Sequence, residues 1–468
     1  MSKSAKSSAR TVFVCQQCGK ESLKWLGRCP NCQEWNSFVE KAIIAPIASL
    51  RSVSPVSPPQ ELSQVVIEAA DRFPLPLAEF NRVLGGGLVS GSLVLISGDP
   101  GIGKSTLLLQ ASALIAQAQG NMVYVSGEET LRQIKLRSER LGVKGEKLYL
   151  LAETDLEVIL NQIEQLQPRL VVIDSIQAVS LPELDTAPGS ITQVRECTQR
   201  LKQWAKLSAV PVFIVGHVTK DGAIAGPRVL EHIVDVVLYL EGEPFSAYRL
   251  LRCVKNRFGS TNEIGVFEMK EQGLVEVDNP SQAFISQRWG EAIGSTVVPT
   301  LEGSRPLLVE IQALTNPTSF GLPRRTANGV DFGRLLLVTA VLARRVGLKL
   351  GNQDIIANAT GGLRIREPAA DLGIALSIAS SFRDVGVDPQ LAAVGEVGLS
   401  GELRAVSQLD RRVNEVARLG FKRCLVPKVG ARVSPVPKGI ELIPVSTLRE
   451  AIRIGLVGGK ARDRTDGD

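Results

Sequence analysis

Aromatic side chains make up only 4% of the 468 residues. A stacking platform for nucleobases is therefore not the expected main grip, and any nucleic acid is expected to be held chiefly through its phosphates. Histidine is scarcer still: His217 and His232 are the only two, and neither sits among metal-type partners. No apolar run is long enough to span a bilayer, which excludes a helical membrane protein. The basic start MSKSAKSSAR has no apolar segment behind it, so it does not read as a secretory signal, and a cytoplasmic location is expected. Beyond residue 32 the chain has three cysteines, Cys197, Cys253 and Cys424, scattered in apolar or helical surroundings. They read as buried thiols and not as a disulfide framework.

What is present points to an α/β protein of two or three domains, since 468 residues exceed one core. The formal charge is +6, a mild excess that is uneven along the chain: residues 1–41 hold seven Lys/Arg against three Asp/Glu. Residues 1–40 form a cysteine module, and a Ser/Pro-rich linker follows over 41–70. Over 71–273, the apolar runs SLVLISG, NMVYVSG, RLVVIDS and PVFIVGH alternate with helical patterns such as KSTLLLQASALIAQA. That alternation predicts a parallel sheet flanked by helices. A second α/β block spans 284–456, with strands near LLVEIQAL and AVGEVGLSGEL and helices near GRLLLVTAVLARRVG and AADLGIALSIASSF. The tail, 457–468, is expected to be disordered.

In the first block, Cys15, Cys18, Cys29 and Cys32 make two C-x2-C knuckles ten residues apart. Four thiolates in this pattern suit tetrahedral zinc, with iron in a rubredoxin-like site as the rival. With no evident open ligand position, the site reads as structural. Lys20, Lys24 and Arg28 decorate it and would suit contact with DNA or a partner protein.

The stretch GDPGIGKST covers Gly98, Asp99, Pro100, Gly101, Ile102, Gly103, Lys104, Ser105 and Thr106, and matches G-x4-G-K-[ST] between a strand and a helix. Backbone N–H groups of such a loop close around phosphates, helped by the helix N-terminus. Lys104 is expected to reach the β- and γ-phosphates, Ser105 to ligate Mg²⁺ and Thr106 to touch the α-phosphate side. Asp174 ends one apolar strand and is placed to hold the magnesium shell through water. Glu128 ends another and is the candidate base for the attacking water, with Glu129 as fallback. His217 caps a third strand, where it could sense the γ-phosphate or be a structural polar group. The Gly-rich stretch after it carries Lys220 and Arg228, which would suit a nucleic-acid channel or an ordinary solvated loop.

One more stretch, YRLLRCVKNRFGSTNEIGVF from Tyr248 to Phe267, ends an apolar strand in two cations two residues apart. Lys255 and Arg257 therefore share a face, and Asn256 points the other way.

LGGGLVSGSLVLISGDPGIGKSTLLLQ, YVSGEE and VVIDSIQ resemble the core of the RecA-type ATPases. With the four-cysteine module in front and KNRFG behind, nearly the whole chain is similar to the bacterial RadA (Sms) family of DNA repair proteins. The resemblance implies a RecA-like ATPase core that uses ATP, Mg²⁺ and Zn²⁺, and a homo-hexameric ring with nucleotide bound at subunit junctions. Lys255 and Arg257 would act there on the neighbour's γ-phosphate, or else contact DNA phosphates directly. It further implies single-stranded and branched DNA as partners, RecA recombinase as a protein partner, and branch migration as the work done. The alternative is a non-translocating ATP-gated scaffold. The 284–456 block resembles the proteolytic domain of Lon proteases, but Ala369 stands where the nucleophilic serine would be and Asp410 where the lysine would be. Without a Ser–Lys dyad, an ATP-dependent protease is disfavoured. The block would be an assembly platform and DNA surface, with Arg324, Arg325, Arg334, Arg344 and Arg345 as candidate contacts.

Overall fold

The structure is a computed structural model. It describes residues 10–15, 21–22, 24–25, 27–30, 35, 38–43 and 61–64, and then 72–457 apart from 218–228, 243–245, 286–292, 319–320 and 431–432. The chain divides into two units, residues 1–67 and 68–468.

In the first unit, β1 (Arg10–Cys15) pairs antiparallel with β2 (Glu21–Ser22) on one side and β3 (Phe38–Ile43) on the other. Cys15 closes β1 opposite Phe38. Cys29 is buried beside an isolated bridge between Arg28 and Trp35, whose ring lies 5.6 Å from the Arg28 guanidinium. Lys24 is exposed. Cys18, Lys20 and Cys32 lie outside the described residues, as do Lys220, Arg228 and the tail from 458 on.

The second unit opens with β4 (Arg72–Phe73), α1 (Ala78–Leu84) and β5 (Leu88–Val89). Strand–helix alternation follows: β6 (Leu93–Gly98), α2 (Lys104–Gln119), β7 (Met122–Ser126), α3 (Leu131–Arg140), β8 (Leu148–Ala152) and α4 (Leu156–Leu166). It continues with β9 (Leu170–Asp174), α5 (Ile191–Ser208), β10 (Val212–His217) and β11 (Val236–Glu241). An antiparallel meander, β12 (Tyr248–Asn256), β13 (Ile264–Lys270) and β14 (Gly273–Glu276), completes a nine-stranded sheet. Its order is β14-β13-β12-β11-β6-β10-β9-β7-β8. The central strands are apolar throughout because helices cover both faces. Val94 and Ile96 of β6 pack on the α2 side, and Leu93 and Leu95 on the α4–α5 side.

After α6 (Pro280–Ile285) comes a second, seven-stranded sheet of order β17-β18-β16-β15-β19-β22-β23. Its elements are β15 (Ser295–Glu302), β16 (Arg305–Pro317), β17 (Arg325–Asn328), α7 (Phe332–Val341), β18 (Gln353–Ala359), α8 (Asp371–Arg383) and β19 (Leu391–Ala393). They are followed by β20 (Glu396–Val397), β21 (Leu403–Arg404), α9 (Leu409–Arg418), β22 (Arg423–Pro427), β23 (Glu441–Val445) and α10 (Leu448–Gly455). Two local expectations need correction. AVGEVGLSGEL is not one strand but the end of β19 and the small ribbon β20–β21, interrupted by Gly395, Gly398 and Gly401. The helix expected through GRLLLVTAVLARRVG is α-helical only to Val341 and finishes as a wider turn, Leu342–Val346, stopped by Gly347 at φ 90°.

The β15–β16 hairpin tip fastens this sheet to the first. Arg305 pairs with the buried Glu79 of α1, whose Oε2 also accepts the Val266 N–H at 2.8 Å. Arg252 of β12 reaches Glu302 at 2.7 Å, and the Ser304 N–H donates to the Asn262 carbonyl at 2.6 Å.

Candidate nucleotide site

The sheet delivers the site residues at strand ends. β6 stops at Gly98, where φ is 151° and an added Cβ would stand 2.3 Å from the Leu240 carbonyl of β11. Only glycine fits, and the chain is free to turn into the loop that opens α2. Lys104, the first residue of α2, is buried, and its Nζ donates to the Gly98 carbonyl at 2.8 Å and the Asp99 carbonyl at 3.0 Å. Burial lowers its pKa, while Asp174, Asp99 and Glu128 act in the opposite sense. An ammonium so placed is ready for an anion to complete its shell. Ser105 and Thr106 are half-buried behind it.

Asp174 closes β9 beside Ser126 at the end of β7. It is buried and accepts a hydrogen bond from the Tyr124 hydroxyl, whose pKa is raised by burial and then by the Asp174 charge. Two residues past β7, Glu128 Oε1 accepts the Ser175 hydroxyl at 2.5 Å and lies 3.6 Å from His217 Nε2. The fallback residue, Glu129, faces elsewhere, 2.8 Å from the Arg137 guanidinium. The ends of β6, β7, β9 and β10 thus bring together Lys104, Glu128, Asp174 and His217. His232, by contrast, is exposed.

Lys255 and Arg257 are not part of that group within one protomer. Lys255 sits opposite Val237 and hence Leu95, whereas Gly98 lies opposite Leu240. Three residues of strand, ~10 Å, separate the two levels, and both side chains turn towards the segment that precedes β11. Lys255 Nζ donates to the carbonyls of Glu231 at 2.5 Å and Val234 at 2.8 Å. Arg257 reaches Asp235 at 3.1 Å, a buried carboxylate that also accepts the Leu93 N–H at 3.1 Å. Asn256 turns the other way, to the Leu84 carbonyl at 3.3 Å, as period-two alternation requires. Burial lowers the pKa of Lys255, and the Arg257 charge adds to this.

Arg249 was not singled out from sequence. Its Nε donates to the Ile102 carbonyl in the phosphate loop at 3.3 Å, and its Nη1 to the Tyr248 carbonyl at 2.9 Å. Burial lowers its pKa. The available signal was a cation at the second position of the strand that also carries Lys255.

In the second sheet, Ala369 is buried, and Asp410 Oδ1 accepts the Ser434 N–H at 3.3 Å. Among the candidate arginines, Arg334 is committed to the buried Asp371, with Nε at 2.9 Å and a shorter second contact. Arg325 donates to the carbonyls of Gln353 and Leu350, and Arg345 to that of Leu399. Arg324 lies 3.7 Å from Asp354, and Arg344 is exposed.

Residues 57–223 match the family described as AAA domain, which spans Lys104, Glu128, Asp174 and His217 but stops short of Lys255. Residues 13–40 match the rubredoxin metal binding domain, which spans all four N-terminal cysteines. The DNA repair protein RadA of Halalkalibacterium halodurans is 55% identical over 451 residues, 96% of this chain and 99% of that protein. The proteins of the same description from Bacillus subtilis and Listeria monocytogenes are 52% and 51% identical, over 96% and 97% of this chain and 99% of each of theirs. A solved KaiC-like protein from Pyrococcus horikoshii aligns with 44% of this chain and 98% of its own at 22% identity, with a TM-score of 0.37.

Proposed function

The chain belongs to the family of DNA repair proteins named RadA, and from that premise we propose that it is a DNA-dependent ATPase of homologous recombination. It binds single-stranded and branched DNA and promotes branch migration of intermediates made by RecA recombinase. The observation that carries the ATPase reading is the convergence of Lys104, Asp174 and Glu128 at the ends of β6, β9 and β7, parallel strands of one sheet.

In this reading ATP is the substrate. The loop N–H groups of residues 98–106 cradle its phosphates, and Lys104 exchanges its loop carbonyls for phosphate oxygens. Ser105 would ligate Mg²⁺ and Asp174 would hold its water shell, and the ion would supply neutralisation of phosphate charge. Glu128, positioned by Ser175 and His217, takes the proton of the attacking water. Lys255 and Arg257 lie at the wrong level of the sheet for their own protomer's nucleotide. This supports a ring, a homo-hexamer, in which they serve the neighbouring pocket. Direct DNA phosphate contact is the competing role for the pair.

Cys15, Cys18, Cys29 and Cys32 would hold zinc as a structural tie. The burial of Cys29 and the position of Cys15 at a strand end fit such a set. The second sheet is proposed to act without proteolysis, as an assembly and DNA-binding platform, because Ala369 and Asp410 cannot serve as a nucleophile–base pair. Among the described residues no helix is long and apolar enough to cross a membrane, and the proposed location is the cytoplasm.

The test is ATP turnover with and without single-stranded DNA, alongside particle mass in ATP and a branch-migration assay on RecA-made joints. DNA-stimulated turnover by a ring that moves branches is expected. Turnover without branch movement would leave an ATP-gated scaffold, and turnover by a monomer indifferent to DNA would refute the reading.

A further inference from the structure

Tyr124 is the only aromatic residue of β7, and it is fully buried. A phenol hydroxyl in that position needs a partner. Tyr124 lies opposite Val172 and Ser126 opposite Asp174 across the β7–β9 pair. Period-two alternation puts all four side chains on the α2 side of the sheet, where Tyr124 and Val172 share one apolar cluster. Tyr124 and Asp174 are therefore diagonal neighbours, a separation that an aromatic side chain spans. The Tyr124 hydroxyl donates to Asp174 Oδ2.

Asp174 is thus held twice. The Gly127 N–H donates to its main-chain carbonyl at 3.1 Å, which fixes the strand end. With Oδ2 bonded to Tyr124, rotation of the carboxyl group is restricted and Oδ1 is left to serve the site. The wall behind the phenol is α3. Its Ile134 is buried in the same cluster, and one turn further on the Arg137 side chain is 15% exposed. Arg137 Nη1 lies 2.8 Å from Glu129, and its Nε and Nη2 are buried without a hydrogen-bond partner among the described residues. Burial and then the Asp174 charge raise the phenol pKa, and the Arg137 charge opposes them. The hydroxyl therefore stays protonated near neutral pH, and it can meet a carboxylate only as a donor.

We propose that Tyr124 is a positioning residue that aims the Asp174 carboxylate and so sets how tightly the nucleotide site takes a divalent cation. The inference rests on the reading of Asp174 as the holder of the Mg²⁺ water shell, and deepens it. Groups one step behind a metal-binding side chain fix its orientation, and their loss commonly costs about 10- to 100-fold in metal affinity. In Tyr124→Phe the ring keeps its packing and only the hydroxyl is lost. The buried Oδ2 is then left without its donor, and the carboxyl group is free to rotate.

The experiment titrates Mg²⁺ into the full-length protein with a fluorescent ATP analogue. It reads the Mg²⁺ concentration that half-completes the tightening of nucleotide binding, and the affinity without added Mg²⁺ is measured alongside. Wild type, Tyr124→Phe, Asp174→Asn and the double variant are compared. Tyr124→Phe is expected to raise the half-point about tenfold or more. Its affinity without Mg²⁺ should stay unchanged, since Lys104 and the phosphate loop are untouched, and excess Mg²⁺ should restore its turnover. The double variant should match Asp174→Asn within about twofold, because the hydroxyl acts only through that carboxylate. A Tyr124→Phe half-point within about twofold of wild type overturns the proposal. So does a loss of affinity that is equal with and without Mg²⁺, which would make the tyrosine a packing residue. If Asp174→Asn shifts the half-point and Tyr124→Phe does not, the reading of Asp174 stands and only the proposal falls. An Asp174→Asn half-point equal to wild type, or a wild type whose binding ignores Mg²⁺, overturns both.

Discussion

His217 Nε2 lies 3.6 Å from Glu128 Oε1, across the ends of strands that are not neighbours in the sheet. Ser175 holds the same carboxylate oxygen, so Glu128 is oriented from two sides, while Glu129 is taken up by Arg137. Glu128→Gln is therefore expected to lower kcat for ATP by ~10²–10⁴ with little change in KM, the scale of a lost general base. Glu129→Gln should leave kcat near wild type. Steady-state turnover of both variants checks the assignment, and equal losses would contradict it.

Lys255 stands three residues of strand, ~10 Å, from the level of the phosphate loop in the same chain. Lys255→Ala is expected to reduce turnover by about 10³-fold, as for other finger residues, while nucleotide affinity stays intact. Mixing Lys255→Ala with the equally inactive Lys104→Ala should restore activity, because some junctions then combine an intact loop with an intact neighbouring cation. No recovery in stable mixed rings would argue that Lys255 serves DNA or its own chain.

Arg412 is fully buried and spans Glu367, the Pro299 carbonyl at 2.7 Å and the Ser407 carbonyl at 2.9 Å. Truncating it strands a partly buried carboxylate, and Arg412→Ala should destabilise the second sheet by about 3 kcal/mol. Arg412→Met with Glu367→Gln should cost less, since neither change leaves an unpaired charge. Urea unfolding followed by tryptophan and far-UV signals would measure both.

Burial pushes the thiols of Cys197 and Cys424 up to about 12 and that of Cys253 to about 11, from an ordinary value of 9.0. At pH 8 in the folded protein all three should resist alkylation, as mapped by peptide mass spectrometry. The linkage has a definite sign. Above pH 9 the unfolded chain releases these protons while the folded chain retains them until about pH 11 to 12. The unfolded state then binds fewer protons, so stability falls as pH rises through that window. A urea midpoint that climbs between pH 8 and pH 10 would contradict this.

What could be read from the linear chain was what short spacing enforces. Gly98 to Thr106 must form a phosphate loop between a strand and a helix, apolar β6, β7, β9 and β10 must lie inside a covered sheet, and Lys255 must share a face with Arg257. Each follows from constraints only a few residues long. What only the tertiary structure decided were relationships between distant segments: Glu128 beside His217 with Glu129 on Arg137, Arg249 on the Ile102 carbonyl, Arg334 withdrawn into a pair with Asp371, and Arg364 and Arg366 lining one cavity with Asp99. Local pattern cannot foresee these, because an exposed-looking charge acquires its role only when packing removes water from it and brings an opposite charge or a carbonyl within reach.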